Sequence, residues 1–207
     1  MTTFYFVRHG QTTANALGLK QGIINDERTH LTATGQQQAR RLAQQFSLTS
    51  MAALFVSPLE RTKETAALLD PQGRLQPQLD ERLLEISYGN WDGQANADLR
   101  TAYPEVFDPV LNDVRPNYVD VALGGETFAK VQQRVADFMT TTAACYPDDA
   151  VVCVTHGFTV KAAALVALQP QDPMTLPEPD NTSVTKLSLH QGQYYLWYYN
   201  RFDAQTY

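Results

Sequence analysis

One local frame occurs twice and constrains the fold more than any other feature: an apolar run, one polar residue, then histidine and glycine. The first copy is Phe4-Tyr5-Phe6-Val7 followed by Arg8-His9-Gly10, and the second is Val151-Val152-Cys153-Val154 followed by Thr155-His156-Gly157. A short apolar run rich in β-branched and aromatic residues reads as a strand buried on both faces. Glycine directly after it lets the backbone come close to a ligand. A third apolar run, Met51 to Val56, ends in Ser57-Pro58-Leu59-Glu60-Arg61. Strands buried on both faces belong to parallel sheets, where ligands sit beyond the carboxyl ends of the strands. Arg8, His9, Arg61 and His156 are therefore expected to converge although they are scattered in sequence.

The segments between these runs have helical spacing. Thr32 is a candidate N-cap before a stripe of Ala39, Leu42, Ala43 and Phe46. Ser57 and Pro58 suit a cap and a first turn for a helix carrying Leu59, Thr62, Ala66 and Leu69. Leu75 to Ile86 reads as a strand and its exit. Glu126 to Cys145 reads as a long helix with Phe128, Val131, Val135, Phe138 and Met139 on one face, and Phe158 to Leu168 as another. Val184 to Leu189 and Tyr194 to Tyr198 flank Gln191-Gly192, a hairpin signal. Alternating strands and helices predict a three-layer α/β/α fold with a mostly parallel central sheet and an antiparallel C-terminal edge. The 207 residues suit one domain spanning 1–207. Residues 88–123, with Pro104, Pro109 and Pro116, show no clear period and are expected to form an inserted, lid-like segment facing substrate.

Charge and cysteine content narrow the function. The chain carries a net charge of −6 and a pI near 5.1, so it has no general attraction for nucleic acid or anionic lipid. Any positive charge that serves an anionic substrate must be local. Cys145 and Cys153 form no C-x-x-C pair and have no histidine at zinc-ligand spacing. No apolar run approaches the ~18 residues of a membrane span. A cytoplasmic protein is expected, with no metal, no cofactor, no membrane association and no nucleic-acid partner. The C-terminal aromatics Tyr194 to Tyr199 read as cross-strand packing.

Two histidines and two arginines at strand ends suit phosphate chemistry. Guanidinium forks match phosphate oxygens and stay charged. Neutral imidazole is a competent nucleophile toward phosphorus. Gly157 also opens a helix, whose first amides favour an anion. The leaving oxygen needs a proton, and Glu85, just after Leu83-Leu84, is the best-placed carboxylate. To serve as an acid near neutrality it needs a raised pKa.

Five ordered blocks carry a family resemblance. They are Phe6 to Asn15 around Arg8-His9-Gly10; Ser57 to Ala66 around Arg61; Leu84 to Gly93 around Glu85; Gly124-Gly125-Glu126-Thr127; and Val154-Thr155-His156-Gly157. Asn181-Thr182-Ser183 fits a late pattern of the same family. In these the chain resembles the histidine phosphatase superfamily, also called phosphoglycerate-mutase-like. The resemblance implies that His9 attacks phosphorus and becomes transiently phosphorylated. It implies that Arg8, Arg61 and His156 hold the non-bridging oxygens, and that Asn15 and Gly157 join the substrate-binding set. It further implies that Glu85 protonates the leaving group and then assists water, without a metal. Asp92 and Thr127 stand where many relatives have glutamate and serine, and both swaps keep the functional group.

Within that resemblance, the segment from Asn96 to Leu123 offers only Arg100 and Arg115 as cations. It also carries Tyr103, Val106, Phe107, Val110, Leu111 and Tyr118, which suit an ester with an apolar or bulky part. The expected activity is a metal-independent phosphomonoesterase acting on a small-molecule phosphate ester through phosphohistidine at His9. A cofactor-dependent phosphoglycerate mutase is the alternative, and a non-catalytic phospho-ligand-binding module the second. The sequence leaves the leaving group and the oligomeric state open.

Overall fold

A computed structural model describes residues 1–201; residues 202–207, the end of the expected 1–207 domain, lie outside the described residues. A six-stranded sheet has the order β3-β2-β4-β1-β5-β6. Its strands are β1 (Thr2–Arg8), β2 (Ala53–Val56), β3 (Pro77–Leu79), β4 (Ala150–Thr155), β5 (Val184–His190) and β6 (Gln193–Arg201). The first four in spatial order run parallel, while β5 and β6 are antiparallel and form the predicted C-terminal edge.

Register explains why distant residues meet. Val7 pairs with Val154, and Val154 with Val56. The three loaded turns therefore leave the sheet side by side at one level, carrying His9, His156 and Ser57.

Side chains alternate across the sheet, as strand geometry requires. Phe4, Phe6, Phe55, Val151 and Cys153 face one core with α5 (Phe128–Cys145) and α6 (Gly157–Leu168). Val7, Leu54, Val56, Val152 and Val154 face the other, with α2 (Ala33–Gln45) and α3 (Glu60–Leu69). Thr32 caps α2 as predicted, accepting from Gly35 N at 3.0 Å. Thr127 caps α5 through Lys130 N at 3.3 Å, so that helix starts two residues later than its sequence pattern suggests. Among the described residues no helix is long and apolar enough to cross a membrane.

One local expectation is overturned and two are sharpened. Ser57 does not cap α3: the N-cap is Leu59, without a side-chain bond, and Ser57 is engaged elsewhere. The expected strand and its exit over Leu75 to Ile86 resolve into the short β3 and a turn, because Asp80 accepts from Arg82 N at 2.9 Å and turns the chain into a 3-10 helix over Glu81–Leu83. The segment 88–123 is ordered by its own aromatic cluster and contains α4 (Asn96–Ala102), the fourth helix after the short α1 (Thr13–Ala16), α2 and α3. Trp91 stacks on Phe107 at 6.1 Å and tilts against Tyr103 at 5.2 Å, while Tyr118 bridges to Phe128 at 6.2 Å. Val106, Phe107 and Tyr118 are thus buried in the core rather than offered to substrate, whereas Leu111 and Arg100 of the same segment do face the cavity at the strand ends.

Candidate active site

At the carboxyl ends of β1, β2 and β4 lies a cavity of about 460 Å³ lined by Arg8, His9, Asn15, Arg61 and Glu85 from the predicted set. His156 and Gly157 do not line it; they stand immediately behind.

His9 is held by main chain. Its Nδ1 lies 2.8 Å from the Gly10 carbonyl. A carbonyl only accepts, so Nδ1 carries the proton and Nε2 keeps its lone pair. Burial, then the charges of Arg61 and Arg8, hold the imidazole well below its usual pKa, against the opposing pull of the Gly10 carbonyl. The ring is therefore neutral at physiological pH. Crowding fixes Gly10 as glycine, since a Cβ there would sit 2.5 Å from the Gly35 carbonyl oxygen. The turn is further pinned by Asn181 Nδ2, which donates to His9 O at 2.9 Å.

Arg61 is wholly buried and uses all three nitrogens. Nε donates to His156 Nδ1 at 3.2 Å, Nη1 to Ile24 O at 3.0 Å and Nη2 to Gly22 O at 2.7 Å. Because Nδ1 of His156 accepts, its Nε2 bears the proton and donates to Ser57 Oγ at 2.7 Å. Burial, opposed by the nearby Glu85 carboxylate, brings Arg61 down to about 10, which leaves it charged at neutral pH. His156, with its ring 5.3 Å from that of His9, is also held well below the usual histidine range, by burial and then by Arg61. Arg8 donates through Nη1 to Pro179 O at 2.6 Å, while its buried Nε has no partner among the described residues.

Glu85 is cradled at the start of α6. Oε1 accepts from Ile86 N at 3.0 Å and Thr159 N at 3.2 Å, and Oε2 from Phe158 N at 3.2 Å. The helix-terminal amides expected to serve a bound anion beside Gly157 are thus given to a carboxylate of the protein. Gly157 instead makes room: a Cβ there would lie 2.4 Å from Glu178 Oε2 and 3.2 Å from Arg8 Cζ. Asn15 Oδ1 accepts from Thr12 N at 3.1 Å in a capping box, which orients the amide at the cavity wall.

Sequence reasoning missed several contributors. Arg134 donates through Nη1 to the carbonyls of Arg82 and Leu84, each at 2.7 Å, and is paired to Glu126 at 3.0 Å. It fixes the turn that presents Glu85; the Gly124 to Thr127 block was the available signal. Asp92, which the sequence did mark at its motif position, accepts from Tyr88 N at 2.9 Å and Ile23 N at 3.4 Å, tying down the loop whose carbonyls bind Arg61. Lys20, Asp113 and Glu178 also line the cavity, and no motif marked them. Of the two lid arginines, Arg100 lines the cavity, whereas Arg115 pairs with Asp108 at 3.5 Å away from it.

A parallel sheet whose strand ends present a neutral histidine, two arginines and a cradled glutamate defines a phosphoryl-handling α/β enzyme. The chain belongs to the histidine phosphatase superfamily (branch 1), which it matches over residues 4–201, and it is a phosphatase. It is 30% identical over 162 residues to Phosphoserine phosphatase 1 of Hydrogenobacter thermophilus, covering 78% of this chain and 74% of that protein. It is 31% identical over 195 residues to glucosyl-3-phosphoglycerate phosphatase of Mycobacterium tuberculosis, covering 89% and 84%. Among solved structures, YhfR of Bacillus stearothermophilus superposes with a TM-score of 0.85 at 28% identity over 98% of both chains.

Proposed function

We propose that the chain, acting as one domain, is a metal-independent phosphomonoesterase for small phosphate esters that works through phosphohistidine at His9. The observation that carries this reading is the tautomer of His9: Nδ1–H is tied to the Gly10 carbonyl, so the lone pair of Nε2 is free beside Arg8 and Arg61. The first step forms the Nε2–P bond as the P–O bond to the leaving group breaks, with Glu85 giving its proton to the leaving oxygen. In the second, Glu85 takes a proton from water as the water oxygen attacks phosphorus, releasing inorganic phosphate and restoring His9. Arg8 and Arg61 hold the non-bridging oxygens, and Asn15 adds a donor at the same wall. Fixed cations aimed at developing charge are worth ~10²–10³ in rate for each contact removed. His156 acts through Arg61 and by packing against His9. The cations are the protein's own, so the reading needs no metal.

Relatives whose names specify phosphoserine, glucosyl-3-phosphoglycerate and α-ribazole phosphatases support a small ester as substrate. A mutase reading has less support, since Arg115 is engaged with Asp108 and only Arg100 of that pair reaches the cavity. The acidic balance fits a small-molecule substrate better than a nucleic acid.

The test is phosphate release from p-nitrophenyl phosphate in excess chelator, with the phosphoenzyme trapped by a denaturing quench at alkaline pH. Turnover that survives chelation, together with an acid-labile phosphoryl group that disappears in His9→Ala, supports the mechanism. Turnover that requires added metal, or that persists in His9→Ala, overturns it.

A further inference from the structure

The wall of the cavity beyond the phosphate end carries charge that phosphoryl transfer does not use. Glu178 projects its carboxyl over Gly157, and no described residue hydrogen-bonds or ion-pairs with it. Burial, then the neighbouring Asp113 and Glu85, raise it to about 7, with Arg8 and Lys20 pulling the other way. Tyr88 and Tyr199 complete the ionisable groups around it.

Asp113 lines the same cavity. Its Oδ1 accepts from Lys20 Nζ at 2.6 Å and Val114 N at 2.8 Å, but its buried Oδ2 has no partner among the described residues. The Lys20 ammonium is committed to that pair and to the face of Tyr88 at 4.5 Å. Lys161, whose charge also bears on Asp113, is wholly buried near the rings of Phe128 and Phe158 and does not line the cavity. Arg100, on α4, lines the cavity with no hydrogen bond or ion pair among the described residues.

The buried Oδ2 of Asp113, without a donor, is costly unless something positive or donating meets it, and the half-buried Glu178 adds a second carboxyl with no donor among the described residues in the same cavity. Glu85, the proton donor to the leaving oxygen in the reading above, lines the same cavity and its charge bears on Glu178, so the leaving group would depart toward these carboxyls. We propose that Glu178 and Asp113 bind an ammonium group of the leaving group, which makes phosphate monoesters of amino alcohols and amino acids the substrate class. Arg100 takes the carboxylate when the substrate has one. This assignment rests on the phosphomonoesterase reading above. It also predicts a pH signature: Glu178 ionises as pH rises through about 7, so preference for the amine grows over that range.

The test uses two pairs of substrates that exchange ammonium for hydroxyl at nearly constant shape. One pair is O-phosphoethanolamine and 2-hydroxyethyl phosphate; the other is O-phosphoserine and 3-phosphoglycerate. The ratio of kcat/KM within each pair is measured for wild type, Glu178→Gln and Asp113→Asn, at about pH 6 and about pH 8. The expected wild-type preference for the amine is about tenfold or more, larger at the higher pH, and each variant lowers it at least about threefold. Equal turnover of both members by wild type overturns the proposal, and so does a ratio preserved in both variants. Should Asp113→Asn fail to fold for want of its Lys20 pair, the Glu178→Gln ratio decides. Turnover by His9→Ala would instead strike the phosphohistidine reading, and the wild-type ratio would still report on the subsite.

Discussion

Arg61 and His156 form one unit: the Nε–H of the guanidinium points at Nδ1 of the imidazole at 3.2 Å, and neither side chain is exposed. This bond sets the tautomer of His156 and leaves the two Nη nitrogens of Arg61 braced on carbonyls of residues 22 and 24. Lysine at position 61 keeps a charge but loses the fork. Arg61→Lys should therefore lower kcat/KM by about 10²–10³, and raising the substrate concentration should not restore kcat. Steady-state kinetics on p-nitrophenyl phosphate check this; a loss under about threefold would show that the fork geometry does not matter.

Ser57 Oγ accepts the single ring proton of His156, from Nε2 at 2.7 Å, in a fully buried setting. Ser57→Ala removes the acceptor and strands an imidazole N–H. The expected cost is about 1–3 kcal/mol in unfolding free energy, read from urea melts. Activity should fall as well, because His156 is then free to turn away from Arg61. A variant as stable and as active as wild type would contradict this placement of the proton.

Both site histidines are neutral because of where they sit. Burial leads in each case, and Arg61 adds to it. The unfolded chain takes up a proton at each near 6.5, the ordinary histidine value, whereas the folded chain resists until lower pH. Stability from these two groups is thus fully present above that value and is lost as pH falls toward the folded pKa values. The expected slope is roughly 1.4 kcal/mol per pH unit for each histidine. The acid limb of kcat/KM should likewise lie below the ordinary histidine value. Urea midpoints and rates across acid to neutral pH test both, and flat stability through that window would contradict the burial argument.

How much of this was legible in the sequence depends on whether the information was local. Arg8, His9, Arg61 and Glu85 were readable because each follows a strand-like run or its exit, and parallel strands bring such ends together. Thr32 was readable as a cap because capping is a property of a few adjacent residues. Ser57 was misread for the same reason: serine before proline looks like a helix start, and only the register of β2 with β4 puts it against His156. The aromatics of the 88–123 segment looked like a substrate face because they have no regular period. Their burial depends on Trp91, Tyr118 and Phe128 meeting across 37 residues of sequence, which only the tertiary structure fixes. Glu178 and Asp113 were invisible because acidic residues in loops usually face solvent.

Arg134 offers a test of how Glu85 is aimed. Its guanidinium gathers the carbonyls of Arg82, Leu84 and Glu85 and is itself fixed by both oxygens of Glu126, at 3.0 and 3.1 Å. Arg134→Ala should release the turn that carries Glu85 without touching His9, Arg8 or Arg61. If Glu85 supplies the proton for the leaving oxygen, the damage should depend on how much the leaving group needs one. An alkyl phosphate, which must leave as an alcohol, should lose about 10²-fold or more in kcat. For p-nitrophenyl phosphate, whose phenolate departs readily, the loss should be about tenfold smaller. Glu126→Gln, which keeps the shape but removes the charge, should show the same pattern more weakly. Equal losses for the two leaving groups would mean that Arg134 supports the whole site and does not aim Glu85.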